Sequence, residues 1–186
     1  VIYLKAKNHI SISISNNGTD QFINGCPHFW EVSKQDAKGK RFYFHTQMCI
    51  VHGVGPSVYL ALEDIAGDPN WTVETLYRTL KAEEERRGEE GLPRTMYLQL
   101  DNCFRENKNT YVIAYRCWLV ERRVFDEIFL SFLPTGHTHF DPDQFASRIA
   151  TAVRFRNVLT CDEYARIVRE CWGHEVPVEW VDNVMD

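Results

Sequence analysis

The chain has 186 residues, of which 44% are hydrophobic, 13% aromatic and 25% charged, and its formal net charge is −5. This composition excludes collagen-like, coiled-coil and disordered proteins, and the length suits one folded domain. No apolar run approaches the roughly 18 residues of a membrane-spanning helix. The excess of acidic over basic residues, 26 against 21, argues mildly against a general nucleic-acid-binding surface.

The six cysteines do not form a pattern typical of disulfides or of zinc. None has C-x-x-C spacing, and several lie inside apolar runs, where a free cysteine behaves as a small hydrophobic residue. We therefore expect a reduced, intracellular protein. Because the sequence opens on Val1 and carries no signal-peptide pattern, we expect residues 1–186 to be one domain of a longer protein.

Three strands are predicted in the first part of the chain. Residues 9–16 alternate apolar and polar side chains, and Asn16-Asn17-Gly18 has the composition of a turn. Residues 41–52 form the second predicted strand, which Gly53, Gly55 and Pro56 end, and residues 58–65 form the third.

Helices and strands alternate in the rest of the chain. A helix over 72–87, opened by Thr72, precedes a strand at 95–100, and a helix over 107–123 precedes a strand at 128–133. The third helix has a well-marked start, with Asp141 as N-cap, Pro142 at the first position and Gln144 in a capping box. A last helix is predicted over 160–172.

This order of elements predicts an α/β fold with one mixed sheet. The first three strands follow one another through short turns and should be antiparallel, whereas the last two each follow a helix and should run parallel to the first. We expect a five-stranded sheet with helices on both faces.

Three polar stretches should meet at one edge of this sheet. They are residues 16–20, 101–103 and 136–143, and they follow the first, fourth and fifth strands. Open α/β sheets bind ligands at the carboxyl ends of their parallel strands. Carboxylates gathered there repel one another unless a cation or a proton separates them, and Mg²⁺ prefers such oxygen ligands.

The sequences of these stretches resemble those of a eukaryotic, transposon-associated family. The resemblance rests on GTDQ followed by PHF, on LQLDNCFRENKN and on SFLPTGHTHFDPDQ, and it spans roughly residues 10–150. Members of that family look like transposase or retroviral integrase cores with the RNase H-like fold. The resemblance implies a DDE/D site that uses Mg²⁺ or Mn²⁺ for phosphodiester cleavage and strand transfer on DNA, with RNA left open, in a nuclear protein.

The resemblance assigns roles to individual residues. Asp101 matches the LQLDN acid, although an aspartate after a strand is also a common turn residue. Asp143 is the better third acid and metal ligand, while Asp141 is a second metal candidate that could equally serve as the helix N-cap. His137 and His139 could bind metal, orient phosphate or act as acid and base.

The chain departs from the family pattern at two positions. Asn17 stands where relatives carry the first acid, and Phe140 stands where they carry glutamate. Three explanations for Asn17 remain open: a naturally inactivated, domesticated domain, an engineered change from aspartate, or Asp20 as a substitute acid. An asparagine lacks the negative charge that would hold a second metal ion.

Basic residues near the motifs are candidates for phosphate contacts. Arg105 and Lys108 follow Asp101, and Arg148 lies on the helix after Asp143, although each could simply belong to a solvated helix surface.

Two functions follow from these observations. The first is a transposase-like enzyme that cleaves and joins phosphodiesters, and the second is a catalytically dead domain that binds nucleic acid or protein. A homo-oligomer is expected by analogy with integrases. An unrelated α/β hydrolase is disfavoured because the chain has no G-x-S-x-G elbow.

Overall fold

Seven strands and four α-helices make up the part of the chain that the computed structural model describes, which comprises residues 11–19, 25–30, 41–101, 103, 107–133, 141–172 and 176–184. The strands are β1 (Ser11–Thr19), β2 (Gly25–Cys26), β3 (Phe42–Val51), β4 (Gly55–Leu62), β5 (Thr95–Leu100), β6 (Glu127–Phe132) and β7 (Val178–Trp180). The helices are α1 (Pro69–Arg87), α2 (Thr110–Glu121), α3 (Asp141–Arg154) and α4 (Cys161–Glu170).

The strands form one mixed sheet with the order β6-β5-β1-β3-β4-β7, and β2 pairs with β3. β3 runs antiparallel to both β1 and β4, whereas β5 pairs parallel to β1, β6 parallel to β5 and β7 parallel to β4. These directions confirm the predicted mixed sheet. The predicted number of five strands is wrong, because β2 and β7 have only two and three residues, too few for a periodic pattern to predict a strand.

The predicted turn after the first strand is also wrong. Asn16, Asn17 and Gly18 belong to β1 and pair with Cys49, Met48 and Gln47 of β3. Asn16 is fully buried, and its Oδ1 accepts a hydrogen bond from the Gln47 side chain, while its Nδ2 has no partner among the described residues. Asn17 donates a side-chain hydrogen bond to Asp143.

Helix capping explains the differences between the predicted and observed starts of the first two helices. α1 begins at Pro69, three residues before Thr72, because the Asp68 carboxylate accepts hydrogen bonds from the backbone N–H groups of Asn70 and Trp71. α2 begins at Thr110 rather than at residue 107, because the Asn109 side chain caps it by accepting from Val112 N.

Two further predicted boundaries differ from the structure. Gly55 and Pro56 begin β4 rather than end the preceding strand. Asp141 is the first residue of α3 rather than the residue before it.

Helices cover both faces of the sheet, as predicted. α3 and α4 pack on one face, where Phe44 and Met48 of β3 join Phe145 and Tyr164 in a single buried cluster. α1 and α2 pack on the other face over a cluster that includes Ile12, Ile14, Leu76, Leu80, Met96, Leu98, Leu100 and Leu119. Among the described residues, no helix is both long enough and apolar enough to cross a membrane.

Replacing the buried ring of Phe145 should destabilise the domain strongly. Phe145→Ala leaves a cavity under α3 and should lower the free energy of unfolding by about 3–5 kcal/mol. Phe155→Ala is the matched control, because its ring is 61% exposed and contacts the Arg154 guanidinium, a contact worth at most about 1 kcal/mol. Urea titration followed by circular dichroism measures both values, and equal losses would contradict this view of the core.

Candidate functional site

The parallel pairing of β1 with β5 brings two of the predicted site positions together. Asn16 pairs with Leu100, so that Asn17 and Asp101 follow at the same edge of the sheet. Ile14, Leu98 and Leu100 point toward the α1–α2 face. Since side chains alternate along a strand, Asn17 is directed to the other face, which α3 covers, and Asp101 directly follows the last residue of β5.

Asn17 contacts the first turn of α3 directly. Its Nδ2 donates a hydrogen bond to Oδ1 of Asp143 over 3.0 Å, and the Asn17 residue is only 8% exposed. The related motif would carry a carboxylate at position 17. Asn17 instead offers a hydrogen-bond donor to the Asp143 carboxylate. A neutral donor removes the repulsion that two facing acids would have.

Asp101 is held by hydrogen bonds from the segment that follows it. Its Oδ1 accepts from the backbone N–H of Cys103 at 3.0 Å and from the side-chain amide of Asn107. Asn107 is fully buried, and its own Oδ1 accepts a hydrogen bond from the Thr72 hydroxyl of α1 at 3.5 Å. Asp101 is therefore part of a polar network that reaches α1, and it has a structural role besides its proposed chemical one.

Asp141 contacts a different partner from Asp143. Its Oδ2 lies 3.7 Å from Nδ1 of His52, whose Nε2 is 2.8 Å from the Ser15 hydroxyl. Burial lowers the pKa of His52 below its ordinary value, and the nearby Asp141 carboxylate opposes that shift. This contact ties the start of α3 to β1 and to the end of β3.

Ser15 and His52 belong to no recognisable motif and were not predicted as site residues. Their contacts with Asp141 have the residue types of a hydrolytic Ser-His-Asp triad. However, Ser15 is fully buried within β1, so a substrate could not reach its hydroxyl. The arrangement therefore anchors α3 and offers no accessible nucleophile.

The two described basic candidates lie against aromatic rings. Lys108 Nζ is 5.4 Å from the centre of the Phe132 ring at the end of β6, and the Arg148 guanidinium lies 4.6 Å from the Trp172 ring. Asp20, Arg105, His137 and His139 lie outside the described residues. Within the described ranges, no group of three or more His, Cys, Asp and Glu side chains could hold a metal ion.

An aspartate at position 17 should destabilise the domain when divalent cations are removed by a chelator. Asn17→Asp replaces the hydrogen bond to Asp143 with repulsion between two largely buried carboxylates, and should cost roughly 1–3 kcal/mol of unfolding free energy. Thermal or urea unfolding in chelator measures the loss. Asn183→Asp adds the same charge at an exposed position and should leave stability unchanged; an equal effect of both variants would contradict the role of the Asn17–Asp143 contact.

Comparison with known proteins identifies a family but no activity. No curated protein and no solved structure matches the chain. One family profile, described as "Domain of unknown function (DUF7869)", matches residues 34–186. The match includes Asp101, Asp141 and Asp143 and begins after Asn17. Because the match covers more than half of its length, the chain belongs to the DUF7869 family.

Proposed function

We propose that this chain is a nucleic-acid-processing core of the transposase or integrase type, with an RNase H-like fold. The strand order β4-β3-β1-β5-β6, with three antiparallel strands followed by two that run parallel to β1, supports the fold assignment, because the RNase H-like fold requires that order. β2 and β7 are short additions to this arrangement.

The observation that carries the proposal is the convergence of three separate motifs. Asn17 and Asp101 follow paired positions of β1 and β5, and Asn17 is bonded to Asp143 at the start of α3. The three motif positions come from parts of the chain up to 126 residues apart. The resemblance to transposase and integrase cores implies that these positions carry the DDE/D residues.

Asp101 and Asp143 suit one divalent cation. Mg²⁺ and Mn²⁺ need only one or two protein carboxylates and leave their other positions to water and phosphate oxygens. Such an ion would supply Lewis-acid activation for the attack of a water or a DNA 3′-hydroxyl on a phosphodiester. The neutral Asn17 does not provide the additional charge that a two-ion site would require, so the pair of acids fits one ion better than two.

A second candidate function is a catalytically dead domain that binds nucleic acid or a protein. The hydrogen bond between Asn17 and Asp143 favours it, because this contact stabilises the Asp143 carboxylate without a cation. Under this alternative the domain keeps its fold but has lost phosphodiester chemistry.

Calorimetric titration with Mn²⁺ separates the two candidates. If the chain is a transposase-like enzyme, we expect the wild type to bind Mn²⁺. Asn17→Asp should then bind it at least about tenfold more tightly, since a third carboxylate faces the ion. Asn183→Asp is the control for added charge and should match the wild type. If neither the wild type nor Asn17→Asp binds Mn²⁺, the dead binding domain is the better reading.

Nicking of DNA in the presence of Mg²⁺ or Mn²⁺ tests the catalytic role of Asp101. Asp101→Asn should reduce the rate of nicking at least about a hundredfold, because it removes a charge that holds the ion while keeping the size of the side chain. Asp126→Asn is the control, because Asp126 is exposed and pairs only at the surface with Arg94. A rate that is unchanged in Asp101→Asn would exclude this assignment.

A further inference from the structure

α2 carries a charged residue on its inward side and mostly apolar residues on its outward side. Its buried residues are Val112, Arg116 and Leu119, so that one of the three inward positions carries a charge. Within the described structure, Nε and Nη2 of Arg116 have no hydrogen-bond partner, and burial lowers the pKa of this side chain to about 10. A helix on a protein surface normally directs its charges outward and its apolar residues inward.

The outward side of α2 is correspondingly apolar. Tyr111 is 73% exposed, Trp118 46%, Ile113 44% and Val120 36%. Among the exposed residues of α2, Glu121 is the only one with a charge. Contiguous apolar surface of this kind is typical of an interaction site.

Helical spacing arranges this surface in three parallel rows. With 3.6 residues per turn, an aromatic row and an aliphatic row flank a central row of small side chains. We call this surface the outer face of α2; its aromatic row is Tyr111 and Trp118, its central row Ala114 and Cys117, and its aliphatic row Ile113 and Val120.

We propose that the outer face of α2 is a dimer interface and that its occupant is the outer face of α2 in a second copy of this chain. A two-fold axis perpendicular to the helix, midway between Ala114 and Cys117, makes the two helices antiparallel. The small central side chains then meet each other, which lets the helices approach closely. The same operation sets Tyr111 against Trp118 of the second copy.

The aliphatic row and the helix ends are also self-complementary under this symmetry. Ile113 meets Val120 of the second copy, so aliphatic side chains face aliphatic ones. Glu121 comes to lie opposite Thr110 of the second copy, at the positive end of its helix dipole. Arg122 follows the helix, and its guanidinium lies 5.6 Å from the centre of the Trp118 ring of its own chain, at the border of the aromatic row.

The available area predicts a weak dimer. At the usual areas of these side chains, the outer face of α2 buries on the order of 500–600 Å² per copy, less than the roughly 800 Å² of a standard interface. Tyr77 of α1, which is 40% exposed, adds to it. We therefore expect a dissociation constant on the order of 1–100 µM. This inference does not depend on the proposed nucleic-acid function.

Sedimentation velocity over a concentration series tests the dimer. The wild type should shift from monomer to dimer as concentration rises, and Ala114→Arg should weaken association at least about tenfold, because it places two like charges at the two-fold axis. Ala150→Arg is the matched control, because Ala150 is exposed on α3 at the opposite face of the sheet. This variant should associate as the wild type does. Thermal unfolding verifies that both variants remain folded.

Crosslinking through Cys117 gives a second readout. Because Cys117 is exposed and lies next to the proposed axis, a short bis-maleimide should produce a covalent dimer of the wild type and none of Cys117→Ser. A chain that stays monomeric throughout the concentration series would overturn the proposal. A dimer that Ala114→Arg leaves intact would overturn it as well, because that dimer must use another surface.

Discussion

The parallel pairing of β1 with β5 is the constraint on which the candidate site depends. Its register is fixed from the opposite face of the sheet, where Ile12 and Ile14 are buried with Met96 and Leu98. A slip of β1 by one residue would turn Ile12 and Ile14 toward α3 and turn Asn17 away from Asp143. The apolar packing under α1 and α2 therefore determines the geometry of the polar groups on the other side.

The start of α3 is held by two separate polar contacts. Asp143 accepts a hydrogen bond from Asn17, and Asp141 faces His52, which in turn contacts Ser15. Since Asn17 and Ser15 both belong to β1 and His52 follows β3, the helix is fixed against two neighbouring strands. Two acids only two residues apart thus have different partners: Asp143 accepts from Asn17, and Asp141 faces His52.

The sequence predicted the long periodic elements well, because apolar spacing reports which face of a helix or strand is buried. A turn was wrongly predicted at Asn16 and Asn17, since two asparagines before a glycine are typical of turns. Their side chains bind partners that are distant in the sequence, Gln47 for Asn16 and Asp143 for Asn17. The start of α1 was predicted at Thr72 because Asp68 and Pro69 were overlooked as a cap.

The candidate site was predictable only where motifs marked it. Asp101 and Asp143 were predicted from the resemblance of their motifs. The rules for crossover connections predicted that the strands before these motifs end at one edge of the sheet. Ser15 and His52 belong to no motif. Ser15 is one of several serines in an alternating strand, and His52 is a single histidine that follows a different strand, so neither has a periodic pattern that would mark it. Their contact arises from the antiparallel pairing of β1 with β3 and the position of α3 above both.

The network that reaches from Thr72 through Asn107 to Asp101 has a consequence for any ligand of that carboxylate. A free aspartate side chain samples several rotamers, and a ligand that selects one must overcome the lost entropy. Here, folding itself restricts the side chain, because the packing of α1 fixes Thr72 and the fully buried Asn107 leaves Asp101 little freedom. The entropy cost of ordering the Asp101 side chain is thus part of the free energy of folding. A ligand that binds this carboxylate does not have to overcome that cost.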